Sequence, residues 1–313
     1  MRDRKILHVQ QKWINLAVLT AFILLNSTVY AGAWVQKKRG YYLKLASSYV
    51  NTKKEFDHLG NRKNILQDFE VFKNAEYREA AISVYAEYGL FDRLTVVADV
   101  PFKFATSSRT EISNYYENGM RDVSHTTSGF GDLRLSGRLN LLTLPLVVSV
   151  QPGIKIPLGY DESGDIEGPA LGTAELEYEG QLLLGKSLYP LPIYLTGGIG
   201  YRFREGPLHD EVFYHLEAGY TTGQALFKAS ISGVDNTTTP RDIFGEPIQL
   251  PLPGGGGAVP DRLFGDQNFF KINGGVTYKL KENFAVDGQI FNIASGKNIV
   301  TGTTFQIGLV LTK

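Results

Sequence analysis

The sequence predicts an all-β fold: a transmembrane antiparallel β-barrel of about 12 strands, with short periplasmic turns and long extracellular loops. Three observations predict it. Apolar and polar residues alternate strictly over runs of ten or so positions, the breaks between runs alternate in length, and an export signal precedes them all.

The alternation is plainest in residues 130–142, "FGDLRLSGRLNLL". Leu133, Leu135, Leu139 and Leu141 share one parity, and Asp132, Arg134, Ser136, Arg138 and Asn140 the other. In residues 144–157, Leu146, Val148, Val150, Ile154 and Ile156 alternate with Ser149, Gln151, Gly153 and Lys155. Residues 174–185 set Leu176, Tyr178, Leu182 and Leu184 against Glu175, Glu177, Glu179 and Gln181, and the last run places Phe305, Ile307, Leu309 and Leu311 on one face. Side chains of opposite parity point to opposite faces of a sheet.

At the N-terminus, Arg2, Arg4, Lys5 and Lys12 precede an apolar run from Ile14 to Leu25, then "NSTVYAGA". The run is too short to span a bilayer as a helix and small residues follow it, so residues 1–31 read as a signal peptide cleaved after Ala31. Residues 32–313 are then one barrel domain, since no linker divides them. The chain has no cysteine, which excludes disulfides and thiolate chemistry and suits an exported bacterial protein. Its 32 basic and 32 acidic residues cancel, leaving no basic excess for a nucleic-acid partner.

In chain order, strands are expected near 39–51, 76–89, 93–105, 129–142, 145–157, 173–187, 191–204, 211–221, 224–235, 268–280, 284–293 and 302–312. Short breaks at 89–93, 142–145, 187–192, 221–224 and 280–283 mark one end. Long breaks at 52–75, 107–127, 158–172, 205–210, 236–267 and 294–301 mark the other, and both termini fall on the short-turn side. Within 52–75, "NILQDFEVF" reads either as an extra strand or as an upward extension of its neighbours.

A soluble barrel also alternates, but its apolar parity faces inward. Here the polar parity carries runs of ionised groups, and aromatics gather near strand ends: Tyr41, Tyr42, Tyr88, Phe91, Phe102, Phe104, Tyr201, Phe203, Phe269 and Phe270. Such rings suit two girdles at headgroup level. A charge on the lipid side near mid-membrane costs about 2–4 kcal/mol, so charges belong inside. By parity the lumen-lining candidates are Glu79, Glu87, Asp99, Lys103, Asp132, Arg134, Arg138, Lys155, Glu175, Glu177, Glu179, Arg202, Arg204, His215, Glu217, Lys228, Lys271 and Asp287. They read either as charge rings that select solutes or as an ion-pair network filling a narrow barrel.

Other features are weaker. His215, with Ser230 and Ser232 one hairpin away, leaves open a lipid-modifying enzyme, and the long loops leave open a structural or adhesive barrel. The 236–267 loop, with five prolines and the run Gly254 to Gly257, is a lid or a surface loop and lacks the Lys-Ser or Lys-Thr of a phosphate loop. The cluster Asp161, Glu162, Asp165 and Glu167 lacks calcium-loop spacing. No cofactor or metal pattern is present in the sequence.

Three short motifs carry a resemblance: Tyr88, Gly89, Leu90 and Asp92 in "YAEYGLFDRLTVVADVPF"; Gly129, Gly131 and Asp132 in "GFGDLRLSGRLNLL"; and Gly153, Lys155, Pro157 and Gly159 in "SVQPGIKIPLG". Over residues 77–160 the chain resembles the outer-membrane barrel family labelled for the meta-cleavage pathway of phenol degradation. The resemblance implies a channel or transporter in the bacterial cell outer membrane for small molecules, aromatic or hydrophobic compounds among them, and brings no catalytic residues. The expected partners are the small-molecule solute, outer-membrane lipid and lipopolysaccharide, and the barrel-assembly machinery. That machinery reads a terminal aromatic in many barrels, whereas this chain ends Leu311, Thr312, Lys313.

Overall fold

The structure, a computed structural model, describes residues 32–114, 116, 118–160, 169–205, 208–238, 248–250, 257–259 and 266–313. The expected signal peptide, the acidic stretch 161–167 and most of the 236–267 loop lie outside the described residues.

Twelve antiparallel strands form one closed sheet. They are β1 (Tyr41–Thr52), β2 (Phe72–Phe91), β3 (Leu94–Ile112), β4 (two runs, Met120–Phe130 and Asp132–Leu142), β5 (Val147–Pro157), β6 (Glu177–Ser187), β7 (Ile193–Arg204), β8 (Glu211–Thr222), β9 (Ala225–Asn236), β10 (Asn268–Lys281), β11 (Phe284–Lys297) and β12 (Thr303–Thr312). Each pairs with the next in sequence, and β12 returns to β1 with Leu45 opposite Leu309. Around the belt every strand has two neighbours, the condition for strands to sit in hydrocarbon, whereas the upper run Met120–Phe130 of β4 pairs among the described residues with β3 alone.

The two runs of β4 share β3 as neighbour but differ in register. Phe130 pairs with Phe102 and Arg134 with Asp99, so one extra residue is taken up at Gly131. This is a β-bulge, and it switches the inward set from odd to even numbers. Glycine is needed there because a Cβ would lie 3.2 Å from both the Leu171 carbonyl and the Pro101 ring.

Two stretches depart from expectation. Most of 107–127 is strand, with Ile112 opposite Met120, because the hairpin of β3 and β4 continues past the apolar belt. Its Thr106, Ser108, Thr126 and Ser128 are polar on the outer face, where water replaces lipid, so apolar alternation ends while β-branched threonine still favours the strand. In 52–75, short strands Lys54–Phe56 and Arg62–Asn64 join Ile299–Thr301 in a small sheet at the long-loop end, while residues 65–71 form turns, with Leu66 at φ 57°.

The barrel is polar inside and apolar outside. Leu135 and Leu139 are each 41% exposed on the outer face, whereas Glu87 and Asp287 are 1% exposed. Tyr41, Tyr88, Tyr220 and Tyr278 stand exposed near the short turns, and Tyr49, Phe104, Phe130, Tyr178, Phe203 and Phe305 near the long loops. Tyr42 corrects the expected girdle: it faces inward, buried, with its ring edge-on to Tyr85 at 5.8 Å.

Candidate functional site

Alternation along each strand aims the ionised residues into the lumen, where they assemble into three networks. Toward the long loops, Lys155 donates to Glu177 at 2.5 Å and lies 3.1 Å from Asp132. Arg202 bridges Glu177, Glu179 and Glu211 at 3.4, 3.0 and 2.5 Å, and Arg204 joins Glu211 to Asp266 at 2.8 and 2.7 Å. Among the described residues Glu177 Oε2 accepts no hydrogen bond, and the Arg202 charge at 3.4 Å compensates it.

A second network centres on Asp287, which accepts from Lys44, Lys228, Thr277 and Gln289. The third lies toward the short turns. There Glu87 accepts from Arg138 at 2.9 Å and from the Tyr85 hydroxyl at 2.6 Å, while Arg138 Nε donates to Gln151.

The remaining sequence candidates have separate surroundings. Glu79 accepts from the Tyr77 hydroxyl, Glu217 from the Tyr194 hydroxyl, and Lys103 donates to the Leu171 carbonyl. Glu175 lies in the loop before β6, because Ala174 at φ 56° delays the strand to Glu177. Asp99, Arg134 and Lys271 lie on the inward parity of β3, β4 and β10, yet have neither hydrogen bond nor ion pair among the described residues.

His215 is the residue on which an enzyme reading depends. Its ring nitrogen lies 3.2 Å from the Gln181 amide on β6, and although Ser232 is its register partner, no hydrogen bond joins His215 to Ser230 or Ser232 among the described residues. A hydroxyl nucleophile needs that bond to a base.

Two chain segments enter the lumen, and the sequence reading missed both. From the short-turn end, residues 32–38 run up inside the wall. Ala33 N–H donates to Thr196, Ser149 donates to the Ala33 carbonyl, Arg138 donates to the Trp34 carbonyl, and Gln36 donates through its backbone to Thr95 and through its side chain to Glu87. Small residues in the wall make room: a Cβ on Gly185 would lie 2.9 Å from the Trp34 ring, and one on Gly89 would strike the Lys37 carbonyl. Gly89 is the glycine of the "YGLFD" turn, so that motif was the available signal. From the long-loop end, Leu171 is 2% exposed and seats over Gly129 and Gly131, while Thr173 accepts from Lys155 and Tyr160 donates to Asp132.

Comparison with known proteins locates the fold. An outer membrane channel from Pseudomonas putida F1 is similar with a TM-score of 0.61 and 14% identity, over 91% of this chain and 100% of that one. The toluene transporter TbuX of Ralstonia pickettii is more distant, with a TM-score of 0.44 and 10% identity over 92% of each chain. No family model and no curated protein sequence matches the chain. The likeness to the Pseudomonas protein, at this identity, is one of fold: a closed twelve-stranded barrel.

Proposed function

We propose that the chain is a bacterial outer-membrane channel or transporter for small molecules, that the lumen is the solute path, and that residues 32–38 close it from the periplasmic end. The observation that carries the reading is the inversion of polarity, with enclosed charges such as Glu87 and Arg138 inside a wall whose outer face exposes leucine and aromatic rings. That arrangement suits a wet lumen within lipid. Support comes also from the shared fold of the Pseudomonas outer membrane channel.

The wall networks fix the barrel's shape and line the path with charges of both signs, which favours passage of small polar or amphiphilic solutes over bare ions of one sign. Aromatic and other small hydrophobic compounds are the solutes that the resemblance over residues 77–160 implies. In this reading residues 1–31 are the removed export signal, the mature domain is 32–313, and lipopolysaccharide and the assembly machinery meet the outer wall.

Segment 32–38 is held by neutral hydrogen bonds, by the exposed Asp92 carboxylate, and by two buried side chains, Glu87 and Arg138, that remain paired with each other without it. Its release therefore strands no buried charge. Planar-bilayer recording tests the proposal: the mature chain should show small conductance and a variant lacking residues 32–38 a several-fold larger one. A barrel that passes no current in either form sinks the reading.

A further inference from the structure

We infer that the short-turn rim of the barrel docks the headgroups of anionic phospholipids in the periplasmic leaflet, through a basic arc made of Lys37, Lys38, Arg39, Arg93, Lys281 and Lys313. The inference rests on the membrane placement of the barrel and not on transport through it.

All six cations are exposed, and none of their side chains forms an ion pair or a hydrogen bond among the described residues. Backbone contacts join them into one stretch of rim. Thr312 N–H donates to the Asn283 carbonyl in the turn that Lys281 opens, and Lys313 N–H donates to the Tyr41 carbonyl. Arg39 N–H donates to the Gly89 carbonyl, and Lys38 N–H to the Asp92 carboxylate beside Arg93. The arc therefore runs without a gap from the β10–β11 turn, past the end of β12 and the start of β1, to the β2–β3 turn.

The acids within the arc are Asp92, Glu282 and the terminal carboxylate, so positive charge is in excess there although the whole chain is balanced. On the other side of the rim, the turns at 143–146, 188–192 and 223–224 carry no charged residue. The excess is thus local, and an anionic partner complements it.

Depth decides which anion. Tyr41 and Tyr88 are register partners on the lipid face, and with Tyr278 they stand exposed within a few residues of the arc. Amphipathic rings settle at headgroup level, which holds the six cations at the depth of lipid phosphates. Attraction between basic residues and anionic lipid fades within a Debye length, so this nearness is what makes it effective.

Site-resolved quenching of the full-length barrel in phosphatidylcholine vesicles tests the arc. One fluorophore is attached at Phe91→Cys, on the exposed end of β2, and another at Leu144→Cys, on the charge-free β4–β5 turn. The quencher is a nitroxide high on the acyl chain of added phosphatidylglycerol or phosphatidylcholine. At position 91, half-quenching should need about fivefold less phosphatidylglycerol, the ratio that one cation–headgroup contact supplies. At position 144 the two lipids should quench alike. Replacing Lys37, Lys38, Arg39 and Lys281 together by glutamine should abolish the difference at 91, with circular dichroism checking that the strands persist. Equal quenching by both lipids at 91 overturns the inference and leaves the arc to an acidic periplasmic protein. A preference that survives the fourfold variant, or that is as large at 144, overturns it too. The readout involves no current, so the channel reading stands or falls separately.

Discussion

Lys44 reaches Asp287 at 2.5 Å by crossing the face of β12, the strand that lies between their own. The crossing point is Gly308, which is the register partner of both Asp287 and Ala46. A Cβ there would press on Lys44 Cε at 3.1 Å, so the missing side chain is what lets the tie span the seam where the barrel closes.

Removing the carboxylate leaves Lys44 and Lys228 facing each other without the acid that both pair with. Asp287→Ala should destabilise the barrel by about 3–5 kcal/mol, the range for breaking a buried ion pair from one side. Gly308→Val should cost less, since it displaces Lys44 without deleting a charge. Denaturant unfolding followed by circular dichroism reads both, and an Asp287→Ala barrel as stable as its parent would show that the tie contributes nothing.

The lipid face makes a second prediction. Leu135→Arg should cost about 2–4 kcal/mol in a bilayer, while Ser136→Arg, one position on and inward, should cost far less. Equilibrium folding into lipid vesicles measures the difference, and equal costs at the two positions would mean that both meet the same medium.

The glycines beside the N-terminal segment make a third. Gly89→Val should dislodge residues 32–38, because the new side chain occupies the place of the Lys37 carbonyl. Hydrogen exchange should then quicken at the Ala33 and Gln36 amides, which donate to Thr196 and Thr95 in the parent. Unchanged protection of those amides would show that the segment has another anchor.

Much of this architecture was legible because lipid enforces period two wherever a strand crosses it. The "FGDLRLSGRLNLL" run placed Arg134 and Arg138 on one face and Leu135 and Leu139 on the other without any structure. Where lipid stops, the signal stops: the threonine-rich hairpin above Phe104 and Ser128 pairs in water and looked like a loop. Tyr42 was assigned to a girdle because tyrosine suits either side of the wall, and only its buried contact with Tyr85 decides the matter. Residues 32–38 have no period at all, since their hydrogen bonds go to five different strands. That Arg134 and Lys271 form no ion pair among the described residues was equally hidden, because parity says which face a charge occupies and nothing about whether an acid reaches it.

The chain has no cysteine, so single cysteines can be placed and labelled without background. A fluorophore at position 135 and, separately, at position 136, quenched in turn by brominated lipid and by aqueous iodide, reads the direction of the wall most directly. The account predicts that the label at 135 responds to the lipid quencher and the label at 136 to iodide. The reverse pattern would place the leucines in an interior core and contradict it.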